Sequence, residues 1–181
     1  MPFDPNRHHR RSIRLKDYDY RNVGAYFITI CAYKRECLFG EVVDLEMRLN
    51  EYGEIIQDEW LKTETVRPNI ELDEFVMMPN HLHGILVLND NTGVSHEKPG
   101  ATHRVAPTGP QTGSVGAIVG QYKSIVTKRI NKQRGTPGHP IWQRNYHEHI
   151  IRDEDELNRI RFYIANNPAQ WDSDLENPGC E

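Results

Sequence analysis

The run DEFVMMPNHLHGILVL, residues 73–88, decides how this chain folds. It reads as the end of one strand, "NIELDEFVMM", and the whole of a second, "HLHGILVL", joined at Pro79-Asn80. Met78 precedes a proline and is biased toward extended backbone, and asparagine suits the turn. Successive strand side chains point to opposite faces, so His81 and His83 share a face and Leu82 lies on the other. Leu86 and Leu88 continue the Leu82 face, while Ile85 and Val87 follow the histidines. Imidazoles on so apolar a strand are partly buried and need partners. Two unrelated polar residues are the plain reading. The sharper one is a shared cation, since neutral imidazole suits many divalent metals and added oxygen ligands admit Mg or Mn.

Outward from this hairpin, "GAYFITICAYKRECLF" (24–39) is aromatic and β-branched and alternates as a strand. "VDLEMRLNEYGEIIQDEWLKT" (43–63) places Leu45, Leu49, Tyr52, Ile56 and Trp60 at helical spacing, with Asp44 where an N-cap belongs. Residues 89–114 lack periodicity and predict a long loop. Ser114 caps a second helix with Ile118, Val119, Tyr122, Val126 and Ile130 as its stripe. After the breaker "RGTPGHP", the segment "IWQRNYHEHII" reads as a strand. Asp153 and Glu156 then open a third helix over 154–166, which Asn167-Pro168 ends. The order β, α, β, β, α, β, α predicts an α+β fold: a ferredoxin-like split βαβ with an antiparallel sheet and an appended C-terminal helix. A length of 181 residues predicts one domain over 1–181, with frayed termini.

Mean hydropathy of -0.72 and 27% charged residues describe a water-facing chain, with no apolar run of membrane-spanning length. The N-terminus is basic without an apolar core, so no secretory signal is expected. Cys31, Cys37 and Cys180 form no CxxC pair, which predicts reduced thiols, a cytoplasmic setting and no thiolate zinc site. The net charge of -4 is segregated: residues 1–35 carry +5, 36–119 carry -9, 120–162 carry +4 and 163–181 carry -4. Two basic segments can converge on a polyanion, or simply be solvated faces.

A further ligand has to come from elsewhere in the chain. On the third helix Tyr163 and Asn167 lie about 40° apart, beside the stripe of Leu157, Ile160 and Ile164. Packed over the histidine face, that helix would deliver a nucleophilic hydroxyl from Tyr163 and an amide ligand from Asn167. Tyr146 is the competing nucleophile. His147 and His149 form a second HxH, read as structural or nucleic-acid-contacting because no third ligand suggests itself. Trp142 is read as core rather than as a base-stacking platform.

"MPNHLHGIL", "WQRNYHEHIIR" and "IRFYIANNP", in this order, resemble the REP-associated tyrosine transposases, a branch of the single-tyrosine HUH (IS200-like) transposases. The resemblance spans about Tyr20 to Trp171. It implies a nucleoid-associated endonuclease and strand transferase that cuts single-stranded DNA at repeat hairpins through a 5′-phosphotyrosine, with Mg or Mn. It places His81, His83 and Asn167 on the metal and Tyr163 as nucleophile. Lys123, Lys128, Arg129, Lys132 and Arg144 are the expected DNA contacts. Monomer and homodimer both stay open. A non-catalytic hairpin-binding module on the same fold is the alternative. A histidine-triad hydrolase is disfavoured, because the next alternate position is Ile85.

Overall fold

The computed structural model describes residues 19–90 and 112–179. His8, His9, Arg10, Cys180 and most of the loop expected over 89–114 lie outside the described residues. Strand β1 (Gly24–Cys31) is followed by a hairpin of β2 (Gly40–Val43) and β3 (Glu46–Leu49), then by helix α1 (Glu51–Thr65). Strands β4 (Ile70–Met77) and β5 (His81–Leu88) form the hairpin read from the sequence. Helix α2 (Val115–Gln133), strand β6 (His147–Ile151) and helix α3 (Glu154–Asn166) complete the fold, with a short 3-10 turn at Pro168–Ser173. The main sheet runs β4-β5-β1-β6 with every neighbour antiparallel. Setting the small hairpin aside, this is the expected ferredoxin-like arrangement of two interleaved split βαβ units, with α3 appended.

The expected helix over 43–63 is corrected at its start. Asp44 is no N-cap: with Leu45 it forms the two-residue turn between β2 and β3, both at positive φ of 54° and 66°. That backbone suits a primed hairpin turn. Leu45 and Leu49 mimic helical spacing, yet Leu45 is exposed on the turn. Asn50 is the true cap, its Oδ1 accepting from the amides of Tyr52 and Gly53 at 2.9 and 3.0 Å. The strands expected over 24–39 and 141–151 are also shorter than read. The first turns away at Tyr33–Arg35, and Trp142 keeps only an isolated bridge to Ala32.

One face of the sheet carries the core. Tyr26, Ile28, Ile30, Leu82, Leu86 and Leu88 pack there with Trp60 of α1 and Val126 and Ile130 of α2, all at 2% exposure or less. Alternation puts position 84 on this face, where only glycine fits because a Cβ would sit 2.6 Å from the Trp60 ring. The opposite face presents Phe27, Thr29, Cys31, His81 and His83, with His147 and His149 on β6 in register with Thr29 and Phe27. Helix α3 crosses this face and packs on β4. It buries only Ile164 fully; Leu157 and Ile160, expected in the same stripe, are half-buried. A two-bond fork from Arg161 to Asp73, at 2.8 and 2.6 Å, fastens it to the sheet.

Candidate active site

His81 and His83 are buried, their rings 4.5 Å apart between centroids. Each ring is held from behind by its Nδ1: His81 to Asn80 Oδ1 and His83 to Thr29 Oγ1, both at 2.8 Å. The Asn80 amide nitrogen donates to the carbonyls of Arg35 (3.0 Å) and Glu176 (2.6 Å), which fixes its oxygen toward His81. An amide oxygen only accepts, so His81 carries its proton on Nδ1 and turns the lone pair of Nε2 into the site. Burial draws the His81 pKa down to about 4 against an upward pull from Asp174. Burial, then the neighbouring His81 and His147, hold His83 well below the ordinary imidazole value. Both rings are therefore neutral near pH 7, the form that binds metals.

The third helix brings its two expected residues to the same place. Tyr163 Oη lies 3.2 Å from His83 Nε2, and the Tyr163 ring is 41% exposed toward a cavity of about 590 Å³. Asn167 is buried, and its Nδ2 donates to Asp174 Oδ2 at 3.3 Å. Its side chain is near enough to favour protonated His81 and ionised Tyr163, yet its Oδ1 makes no hydrogen bond. Burial first, then the Asp174 carboxylate, raise the Tyr163 pKa. Phe27 stacks on His83 at 5.3 Å and walls the site on one side.

Asp174 is the candidate site residue that the sequence reading missed. One ligand atom each from His81, His83 and Asp174 lie within 4.8 Å of one another. The carboxylate arrives through the turn after α3, whose end is clasped to the sheet. Arg35 Nε pairs with Glu176 Oε2 at 2.9 Å, and an Arg35 guanidinium nitrogen donates to Leu175 O at 3.1 Å. Lys34 and Arg35 both adopt positive φ, 55° and 57°, rare for non-glycine residues and sustained only where surrounding contacts enforce it. Cys31 donates to Glu176 at 3.6 Å, and burial with that carboxylate pushes its pKa up to about 12, so it stays a neutral wall residue. The one available signal for Asp174 was the acidic run after Pro168, which local pattern reads as solvated tail.

A divalent cation fits these residues. His81 Nε2 and Asn167 Oδ1 are both buried without a hydrogen-bond partner, a state that native structures seldom tolerate unless something fills it. Two imidazole nitrogens, an amide oxygen and a carboxylate form a mixed set that hard and borderline divalent ions accept.

The other expected positions divide. Tyr146 donates to Glu148 Oε2 at 2.6 Å, and both Tyr146 and His147 line the cavity. His149 Nε2 pairs with Glu156 Oε1 at 2.7 Å, a fastening of β6 to α3. Trp142 is core, against Phe39 and Tyr122. Of the expected DNA contacts, Arg129 pairs with Asp58 and Glu59 of α1. Lys123 is half-buried, donates to Gln143 O at 2.6 Å, and burial lowers its pKa to about 8. It fastens the 143–145 backbone rather than standing free. Lys128 and Arg144 are exposed, as is Lys132.

No family model matches the chain. It is 44% identical over 170 residues to an uncharacterized protein of Haemophilus influenzae (strain ATCC 51907 / DSM 11121 / KW20 / Rd), covering 92% of each. The chain belongs to that protein's family. Among solved structures it is similar to a REP-associated tyrosine transposase bound to a REP hairpin, with a TM-score of 0.53 and 19% identity over 87% of this chain and 74% of that one. That likeness gives the fold: a mixed α/β chain with an antiparallel sheet and a C-terminal helix. No helix among the described residues is long and apolar enough to cross a membrane.

Proposed function

We propose that this chain is a metal-dependent, single-tyrosine HUH endonuclease and strand transferase of the REP-associated kind, acting on single-stranded DNA that carries a hairpin. One observation carries the reading. A partly exposed tyrosine hydroxyl lies 3.2 Å from one of two adjacent buried imidazoles, beside an unsatisfied amide oxygen and a carboxylate. A non-catalytic hairpin binder has no use for that convergence. The solved transposase of the same fold is described as bound to a REP hairpin, which supports the substrate class.

His81, His83, Asn167 and Asp174 would hold Mg²⁺ or Mn²⁺, which when bound polarises the scissile phosphate and offsets charge developing on its oxygens. The chain supplies the rest. Asn80 and Thr29 orient the two imidazoles, and Phe27 blocks ring rotation of His83. Tyr163 Oη attacks phosphorus, forming the phosphotyrosine bond as the bond from phosphorus to the 3′-oxygen breaks. The tyrosine gives up its hydroxyl proton, and the departing 3′-oxygen leaves as a hydroxyl. The phosphodiester energy stays in the covalent link, so a 3′-hydroxyl reverses the step and joins a strand. No nucleotide is consumed.

The test is covalent adduct formation on hairpin oligonucleotides with single-stranded flanks, in Mg²⁺ or Mn²⁺. Wild type should form a 5′-phosphotyrosine on Tyr163, identified by mass spectrometry of the adduct peptide. Tyr163→Phe should lower cleavage by about a thousandfold or more, because water has no positioned replacement for that oxygen. Tyr146→Phe should retain the adduct. A nucleotide found on Tyr146, or undiminished cleavage in EDTA, overturns the assignment.

A further inference from the structure

A groove of about 800 Å³ runs between α2 and the 137–144 segment, on the side of α2 away from α1. Its floor is carbon, from Ile141 and Trp142, which are 1% and 7% exposed. Lys128, Lys132 and Arg144 line it as well, and none of the three enters a salt bridge among the described residues. Gln143 lines both this groove and the cavity at Tyr163, so the two depressions meet at one residue. Gly120 forms part of the wall. A Cβ there would meet nothing within 4 Å, so no packing demand explains a residue that is unfavourable inside a helix. Its effect is to leave the groove open.

An apolar trough edged by uncompensated cations matches a ligand that alternates flat carbon-rich rings with phosphate. We infer that this groove receives unpaired bases of the DNA strand on one side of the phosphate held at Tyr163, with Lys128, Lys132 and Arg144 on the flanking phosphates. The inference rests on the proposed function for the identity of the strand. A volume of this size holds more than one base, since pockets of roughly 300–1,000 Å³ take drug-sized ligands. Sequence preference next to the cleavage site would then come from the groove rather than from the metal centre.

The experiment measures equilibrium binding of three fluorescent hairpins to the Tyr163→Phe protein, which cannot turn them over. One has a single-stranded flank of about six nucleotides, within the usual span of such sites. The second has the same flank without bases, and the third has no flank. The base-bearing flank should bind about tenfold more tightly than the abasic one, the gain expected from sheltering a base or two. Adding Gly120→Phe, which fills the groove and leaves every cation in place, should erase that difference, and Gly120→Ala should keep it. Ser124→Phe, also on the groove wall, is the second blocking variant, and thermal melting reports that each is folded. Lys128→Ala with Arg144→Ala should weaken both flanked hairpins equally and flatten the salt dependence. Equal binding of base-bearing and abasic flanks overturns the inference, as does a difference that survives both blocking variants. Failure to bind any hairpin overturns the nucleic-acid reading itself. Selective binding without an adduct in the Tyr163 protein leaves the groove standing and removes the proposed chemistry.

Discussion

The two faces of the β4-β5-β1-β6 sheet are built to opposite rules. On the Leu82 face, two helices seal a continuous apolar layer, and Gly84 gives way so that Trp60 can reach the strand. On the His81 face, one helix with a single fully buried residue lies across a row of polar and aromatic side chains. The first face supplies cohesion through area removed from water. The second leaves two potential ligand atoms, His81 Nε2 and Asn167 Oδ1, buried with no partner, a cost to stability that a bound cation would offset, whereas the unpartnered Trp60 Nε1 on the first face is a donor that binds no cation. The core and the candidate site are thus separated by the thickness of one sheet, and alternation along β5 serves both.

That separation can be broken by mutation. The largest effect on folding should come from Leu86→Ala on the sealed face, a loss of roughly 2–5 kcal/mol because a fully buried leucine leaves a cavity. Urea midpoints measure it, while adduct formation by the still-folded fraction at low temperature should stay near wild type. A defect in the folded fraction would show that the faces are coupled. Next comes Thr29→Val on the open face, which keeps the side-chain shape and removes the partner of His83 Nδ1. Mn²⁺ affinity by calorimetry should fall about 10–100-fold, the usual effect of losing such a support. An unchanged affinity would mean that Phe27 packing alone orients the ring.

The smallest effect concerns the fork between Asp73 and Arg161. The Arg161 guanidinium holds the Asp73 carboxyl below its ordinary value of 3.8. A depressed carboxyl pKa contributes stability that is present above 3.8 and lost as pH falls through the lower, folded value. The pair is partly exposed, so solvent screening leaves only a small contribution. Arg161→Ala should therefore remove a shallow acid-side slope from the stability profile. It should also loosen α3 and slow adduct formation at pH 7 more than its effect on global stability would account for. A rate that follows stability alone would show that α3 needs no such fastening.

The short-range features of this molecule follow from short-range sequence. Strand alternation placed His81 and His83 together, and helical spacing placed Tyr163 and Asn167 together. Ser114 and Asp153 do cap α2 and α3. The β2–β3 hairpin escaped because Leu45, Leu49, Tyr52 and Ile56 satisfy a helical period across a turn that the period cannot see. Arg129 and Lys123 looked like open cations because sequence shows a charge and not what faces it; Glu59 and the 143–145 carbonyls do.

The sequence by itself determined which residues share a face, since backbone geometry fixes that within a few residues of chain. It therefore supplied both histidines, the tyrosine and the amide as two separate pairs. Only the tertiary structure decided that the pairs meet, because the register of α3 across the sheet depends on contacts such as Arg161 with Asp73, 88 residues apart. It alone brought Asp174 to the histidines, through a turn clasped by Arg35 to Glu176 and by Asn80 to the Glu176 carbonyl. A carboxylate in an acidic tail has no periodicity to betray it. Its place is set by long-range hydrogen bonds that no local pattern encodes.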